Sequence, residues 1–272
     1  HHGLMIAGEA ALSNWDAGMD MYIYGKLGNL IMTKEGINVL MTNLTGKVPP
    51  ILQRLDYIRF NGEAAGYLHD LTLTGLFYTG AGMVKTDVMM SIDEQSMSRT
   101  YSGSVASADL NLGKLLNQEK KFGKVDFNVE LKGFNYKNRY PESYIKGIIS
   151  SFEYSQYQYE NIMLDGVYKD GGFNGRLSMD DANGSVQIDG NFNVAKTIPD
   201  FNLKASVKNL RPHDLHLSDK YENASISLGL TADFTGKSID DMNGRISLDS
   251  LQLNAPDERG CFLDNLTITA GQ

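Results

Sequence analysis

The sequence predicts an all-β fold, an elongated antiparallel sheet curled into an open groove and broken by a few short helical interruptions. The first observation is strict apolar/polar alternation at Val125-Asp126-Phe127-Asn128-Val129-Glu130-Leu131-Lys132-Gly133, which recurs at Ile226-Ser227-Leu228-Gly229-Leu230-Thr231-Ala232-Asp233-Phe234. Strand side chains alternate between faces, so each run makes one apolar and one polar face. The second is a supply of turn residues between such runs, as at Asp165-Gly166, Asp170-Gly171-Gly172, Asn183-Gly184 and Asp189-Gly190. The third is the scarcity of segments with helical periodicity.

Period-two patterning places strands at 30–34, 37–45, 66–78, 82–92, 99–107, 124–133 and 143–150. It continues at 159–168, 172–179, 184–192, 199–208, 224–234, 242–249 and 262–269. Asn183-Gly184, between Leu177-Ser178-Met179 and Val186-Gln187-Ile188, predicts a hairpin with a type I′ turn, which needs positive φ at both central residues. Gly133, Gly166 and Gly190 are expected to be bulges or strand bends. Three stretches read as helical or turn interruptions: 49–55, 109–116 and 211–217, the last opened by Arg211-Pro212. None is long enough to be a stable helix unaided.

With 42% hydrophobic residues, 28 Gly and only 6 Pro, the chain reads as packed and turn-rich, not disordered. Residues 3–272 read as one elongated sheet unit, since no Pro-, Ser- or charge-rich linker divides them. A weak internal repeat joins roughly 105–150 to 207–250: each block has an interruption, an alternating strand ending at Gly133 or Gly236, then a strand through Gly147 or Gly244. His1-His2 reads as a tag remnant, and the chain as a fragment of a longer protein.

A net charge of -8 argues against a nucleic-acid partner, which would demand a basic stripe to displace counterions from phosphates. Cys261 is the single cysteine, so no internal disulfide or thiolate metal site can form. No apolar run is long enough to span a bilayer. His213-Asp214-Leu215-His216 is the best metal candidate, but it lacks a clear third ligand and reads as a polar turn. Asp180-Asp181-Ala182-Asn183 lacks the ligand spacing of a calcium loop and reads as hairpin chemistry. Tyr144, Phe152, Tyr154, Tyr157 and Tyr159 read as an aromatic ladder, with a carbohydrate or membrane platform as the alternative. No Gly-x-Ser-x-Gly elbow accompanies His69-Asp70, and no acid, base and nucleophile converge, so an enzyme is not expected, nor a cofactor or metal.

What covers the apolar face is the functional question. A second sheet about 10 Å away would make a sandwich, a module for adhesion or glycan binding. A groove left open would instead shelter acyl chains. Its candidate lining is Val125, Phe127, Val129 and Leu131, then Ile162 and Leu164, Val186 and Ile188, and Ile226, Leu228, Leu230 and Phe234.

Between Tyr159 and Gly190 the motifs become more particular. Tyr159-Glu160-Asn161-Ile162-Met163-Leu164-Asp165-Gly166-Val167-Tyr168 is followed by Phe173-Asn174-Gly175-Arg176-Leu177-Ser178-Met179-Asp180-Asp181-Ala182-Asn183-Gly184 and by Val186-Gln187-Ile188-Asp189-Gly190. With Ile198-Pro199-Asp200-Phe201 and Asp214-Leu215-His216-Leu217 after them, and Ile58-Arg59-Phe60-Asn61-Gly62 before, these resemble the TamB branch of the AsmA-like proteins over most of residues 30–250. The resemblance implies a middle segment of an envelope protein of Gram-negative bacteria, anchored in the inner membrane and extending through the periplasm. It implies a β-taco with a hydrophobic groove that conducts phospholipid toward the outer membrane. A role in outer-membrane protein assembly with a barrel partner is the implied alternative, and no catalytic motif is carried over.

Overall fold

The computed structural model describes residues 3–271 apart from 15, 94, 97, 136–141, 221, 238–240 and 256–259; His1 and His2 lie outside them. The first strands are β1 (Leu4–Ser13), β2 (Tyr22–Thr33), β3 (Tyr57–Tyr67), β4 (Asp70–Thr79) and β5 (Gly82–Ile92). Next come β6 (Arg99–Asn111), β7 (Phe122–Asn135), β8 (Glu142–Tyr154), β9 (Tyr157–Lys169) and β10 (Gly172–Asp181). The last are β11 (Gly184–Asn193), β12 (Asp200–Leu210), β13 (Ser225–Thr235), β14 (Asn243–Asn254) and β15 (Cys261–Ala270). Helices are α1 (Lys34–Thr45), α2 (Pro50–Gln53) and α3 (Leu112–Leu116). Among the described residues the fold is therefore all-β, and strand order in the sheet is chain order. The sheet is open, with β1 and β15 as its edges.

The chain divides into two compact units, 1–139 with 152–155, and 140–151 with 156–272. The boundary falls inside β8, where no linker composition marks it.

In the first unit, residues 37–45 are helix, not strand. Ile37, Val39 and Met41 fit period two, but Ile37, Leu40, Met41 and Leu44 fit the helical period equally. The ends decide: the Thr33 side chain accepts from the Gly36 N–H at 3.5 Å, and Gly46 closes the helix at φ 74° with its N–H on Thr42. The expected strand 66–78 is two strands, with the β3–β4 turn at 68–69. Most of β3 escapes period-two reading because Gly62, Ala64 and Gly66 occupy its apolar face. In β2 a register shift between Leu27 and Leu30 breaks the alternation, and in β1 Met5, Ala7 and Ala11 make the second face apolar too.

Ile37, Leu55, Ile58, Phe60, Ala81, Leu110, Leu115 and Val125 are the buried hydrophobic residues described in this unit. α1 packs on β2 and β3, and α3 on β7. The Arg54 guanidinium donates to the Leu115 carbonyl, and Lys114 pairs with Asp56 at 2.7 Å and donates to the Gly80 carbonyl at 3.2 Å. These bonds tie the helical connections to the strand ends.

In the second unit the buried apolar residues are Tyr159, Leu215, Ala224, Ala232 and Met242. Residues 211–217 form turns, not a helix, with the Leu215 N–H on the Arg211 carbonyl at 3.0 Å. The β10–β11 connection is a two-residue loop at 182–183, but neither Ala182 nor Asn183 has positive φ, so it is not type I′. The Asp181 carboxylate instead accepts the Asn183 N–H at 2.9 Å, an Asx turn that stabilises the loop without left-handed backbone.

Gly133, Gly166 and Gly190 lie in regular register and are not bulges. Gly166, Gly175 and Gly190 face one another across β9, β10 and β11. A methyl at Gly166 would stand 2.6 Å from Phe173 Cζ, so the ring occupies the space that the glycine leaves. The same device recurs in the first unit, where the Phe60 ring covers Gly62 and Gly75 at 2.7 and 2.6 Å. Register shifts lie elsewhere, two of them in equivalent places: β6–β7 shifts between Ser107 and Leu110, and β12–β13 between Val207 and Leu210. Each places a non-glycine residue, Asp109 or Asn209, at positive φ.

Candidate functional site

Pairing across the second unit sets residues of successive strands side by side on one face. Phe173, Phe192, Phe201 and Phe234 form one row. Leu164, Leu177, Ile188, Ala205, Leu230, Leu248 and Leu266 form another, running from β9 to β15. Ile162, Met179, Val186, Val207 and Leu228 form a third. All eight candidate lining residues of this unit, Ile162, Leu164, Val186, Ile188, Ile226, Leu228, Leu230 and Phe234, lie on this face and are half-buried. Stacking of Phe201 on Phe234 at 4.7 Å and of Phe173 near Phe192 at 5.8 Å stiffens one margin.

The opposite face is wet. Asp165, Arg176, Asp189 and Lys204 are register neighbours there, with alternating charge. Arg176 bonds Asp189 at 2.9 Å, and Asp165 receives the Tyr144 hydroxyl at 2.7 Å and lies 3.4 Å from Lys146. The Tyr144 hydrogen bond, more than the lysine, holds the Asp165 carboxyl below its ordinary range. One face is thus committed to solvent, and the other presents unbroken hydrocarbon.

Among the described residues of this unit, the strands pack on their neighbours in the sheet and no second sheet is built over the apolar face. At one end of this face a pocket of about 360 Å³ is bordered by Phe201, Phe234 and Ile246 of the sheet, by Val194 and Pro199 of the β11–β12 connection and by Gly236, Lys237 and Met242 of the β13–β14 connection. Buried Asn193 builds the first of these loops, donating to the Asp170 carbonyl at 2.9 Å and accepting from the N–H groups of Ala195 and Lys196 at 3.0 and 3.2 Å.

In the first unit, Val125, Phe127, Val129 and Leu131 also share one face, opposite Leu110, Ser107, Val105 and Gly103 of β6. Val125 is buried, 6% exposed; the other three are half-buried. Val125 belongs to the core of this unit, on the strand against which α3 packs.

Alternation within a strand did not pick out Phe173, Phe192, Phe201, Leu177, Met179 or Val207 as lining. The signal for those on β10 and β11 was the hairpin between them. With its turn fixed at 182–183, every pair from Met179↔Val186 to Phe173↔Phe192 follows.

The other constellations are absorbed by structure. His213 lies 3.6 Å from Asp214 and 4.0 Å from Glu222, whereas His216 stands edge-on to Tyr157 at 5.8 Å. Asp181 receives the Tyr157 hydroxyl at 2.5 Å and the Glu160 N–H at 3.1 Å, so its oxygens serve the hairpin. Burial, then this bond to Asp181, pushes the Tyr157 phenol up to about 12. Tyr159 donates to the Leu215 carbonyl at 2.7 Å. Phe122 lies 6.1 Å from Phe152 and 5.4 Å from Tyr154, an aromatic cluster of the first unit.

Comparison with family models, with curated proteins and with solved structures gives no match. The likeness to the TamB branch therefore rests on the strand-and-turn motifs of the sequence alone.

Proposed function

We propose that this chain is a non-enzymatic, lipid-guiding segment of a bacterial envelope protein, whose apolar sheet face holds the acyl chains of phospholipids on their way toward the outer membrane. The observation that carries the reading is the apolar face of β9–β15, whose rows run from strand to strand, half-buried as far as β14 and exposed at Leu266 and Ile268 of β15, with no covering layer among the described residues of this unit. Each methylene moved from water onto hydrocarbon contributes at most about 0.8 kcal/mol. A few rows of such surface suffice to hold a chain, and neighbouring rows offer nearly equal surface, so sliding is favoured over tight capture.

Periplasmic location, an inner-membrane anchor elsewhere in the protein, and a barrel partner at the outer membrane belong to this proposal through the family resemblance. The rival module for adhesion or glycan binding needs a sandwich with a closed core, and within each unit the described strands pack only on sheet neighbours and short helices. Native mass spectrometry of the purified protein tests the proposal. Bound species of phospholipid mass, removed by organic extraction, are expected; a protein that emerges lipid-free from phospholipid-rich cells would contradict it.

A further inference from the structure

The pocket at the end of the second unit's apolar face has one side chain of a different kind. Its wall is Val194, Phe201, Phe234, Met242 and Ile246, together with Lys237. Phe201, Phe234 and Ile246 come from the sheet face, whereas Lys237 and Met242 come from the β13–β14 connection. The backbone N–H of Lys237 is held by both oxygens of Asp241, at 3.0 and 3.1 Å, which fixes the base of its side chain beside the pocket. Nearby Lys196 is already committed to Asp200 at 2.5 Å. Lys237 makes no such pair among the described residues.

A hydrocarbon-walled pocket with one charged group at its rim suits a ligand that is apolar along its length and ionised at one end. We infer that the 360 Å³ pocket beside Lys237 is a holding position for an anionic amphiphile: the acyl chain lies on Phe201, Phe234 and Ile246, and its carboxylate or phosphate meets the Lys237 ammonium. This rests on the groove reading and adds to it a place where sliding chains pause and a preference for negative charge. The Asp241 carboxylate is a like charge for such a ligand, and its bonds to the Lys237 N–H direct it to the loop backbone.

Titration calorimetry with four twelve-carbon probes tests this: dodecanoate, dodecyl phosphate, dodecyl maltoside and dodecylamine. Because Lys237 is exposed, an ion pair there is worth about three- to five-fold in affinity. The intact protein is expected to bind one or both anions tighter than dodecyl maltoside by that factor. Dodecyl phosphate ranking first points to a phosphate headgroup, and dodecanoate first to a free fatty acid. Lys237→Met is expected to erase the preference and Lys237→Glu to shift it toward dodecylamine. Unchanged preference in both variants, with dodecyl maltoside still bound, overturns this inference and leaves the groove intact. If no probe binds, both readings fail.

Discussion

Leu228→Asp is expected to reduce co-purified phospholipid by more than ten-fold while leaving the protein folded. Leu228 stands opposite Val207 on the apolar face and is half-buried. In the lipid-free protein the new carboxylate reaches water, so the cost is a partial loss of apolar cover, about 1–1.5 kcal/mol. An acyl chain laid across it would strip that water and leave a charge without a partner, which costs several kcal/mol. The two costs differ because only the lipid-bound state buries the position. Thr231→Asp, three residues on and on the wet face, is the control and is expected to keep its lipid. Mass spectrometry of extracted lipid, beside a urea melt of each variant, reads both effects. Equal lipid in the two variants would contradict the assignment of faces.

Leu215→Ala is expected to cost about 2–5 kcal/mol of the second unit's stability. Leu215 is 0% exposed, so removal of its side chain leaves a cavity with no route for water to fill it. Tyr159 bonds the backbone carbonyl of Leu215, so that hydrogen bond survives the substitution and the loss reports packing alone. The urea midpoint should fall with little change in slope, since the unfolded surface is nearly the same. A change under 1 kcal/mol would mean that 211–217 is no part of the core.

Where side chains alternate between large apolar and polar residues, period two located the strands closely, as in β5, β10 and β11. It failed where the apolar face is built of small residues, because Gly62, Ala64 and Gly66 carry little hydropathy although they sit on that face as surely as Phe60. It misled at Ile37, Val39 and Met41, where caps outside the run settle the structure. All twelve proposed lining residues fall on the apolar face of their own unit, since a residue's parity along a strand fixes its side. Parity does not report depth, so buried Val125 is not separable from half-buried Val129 by alternation. The loop-walled pocket was also beyond the local pattern, because Val194, Pro199 and Met242 meet the sheet through tertiary packing.

The central claim is that lipid lies on one face of the sheet. Photo-crosslinking tests it most directly, with benzoylphenylalanine placed in turn at Leu230 and Thr231, adjacent residues on opposite faces of β13. The account predicts phospholipid adducts from position 230 and none from 231. Equal labelling at both positions, or adducts from 231 alone, would contradict it.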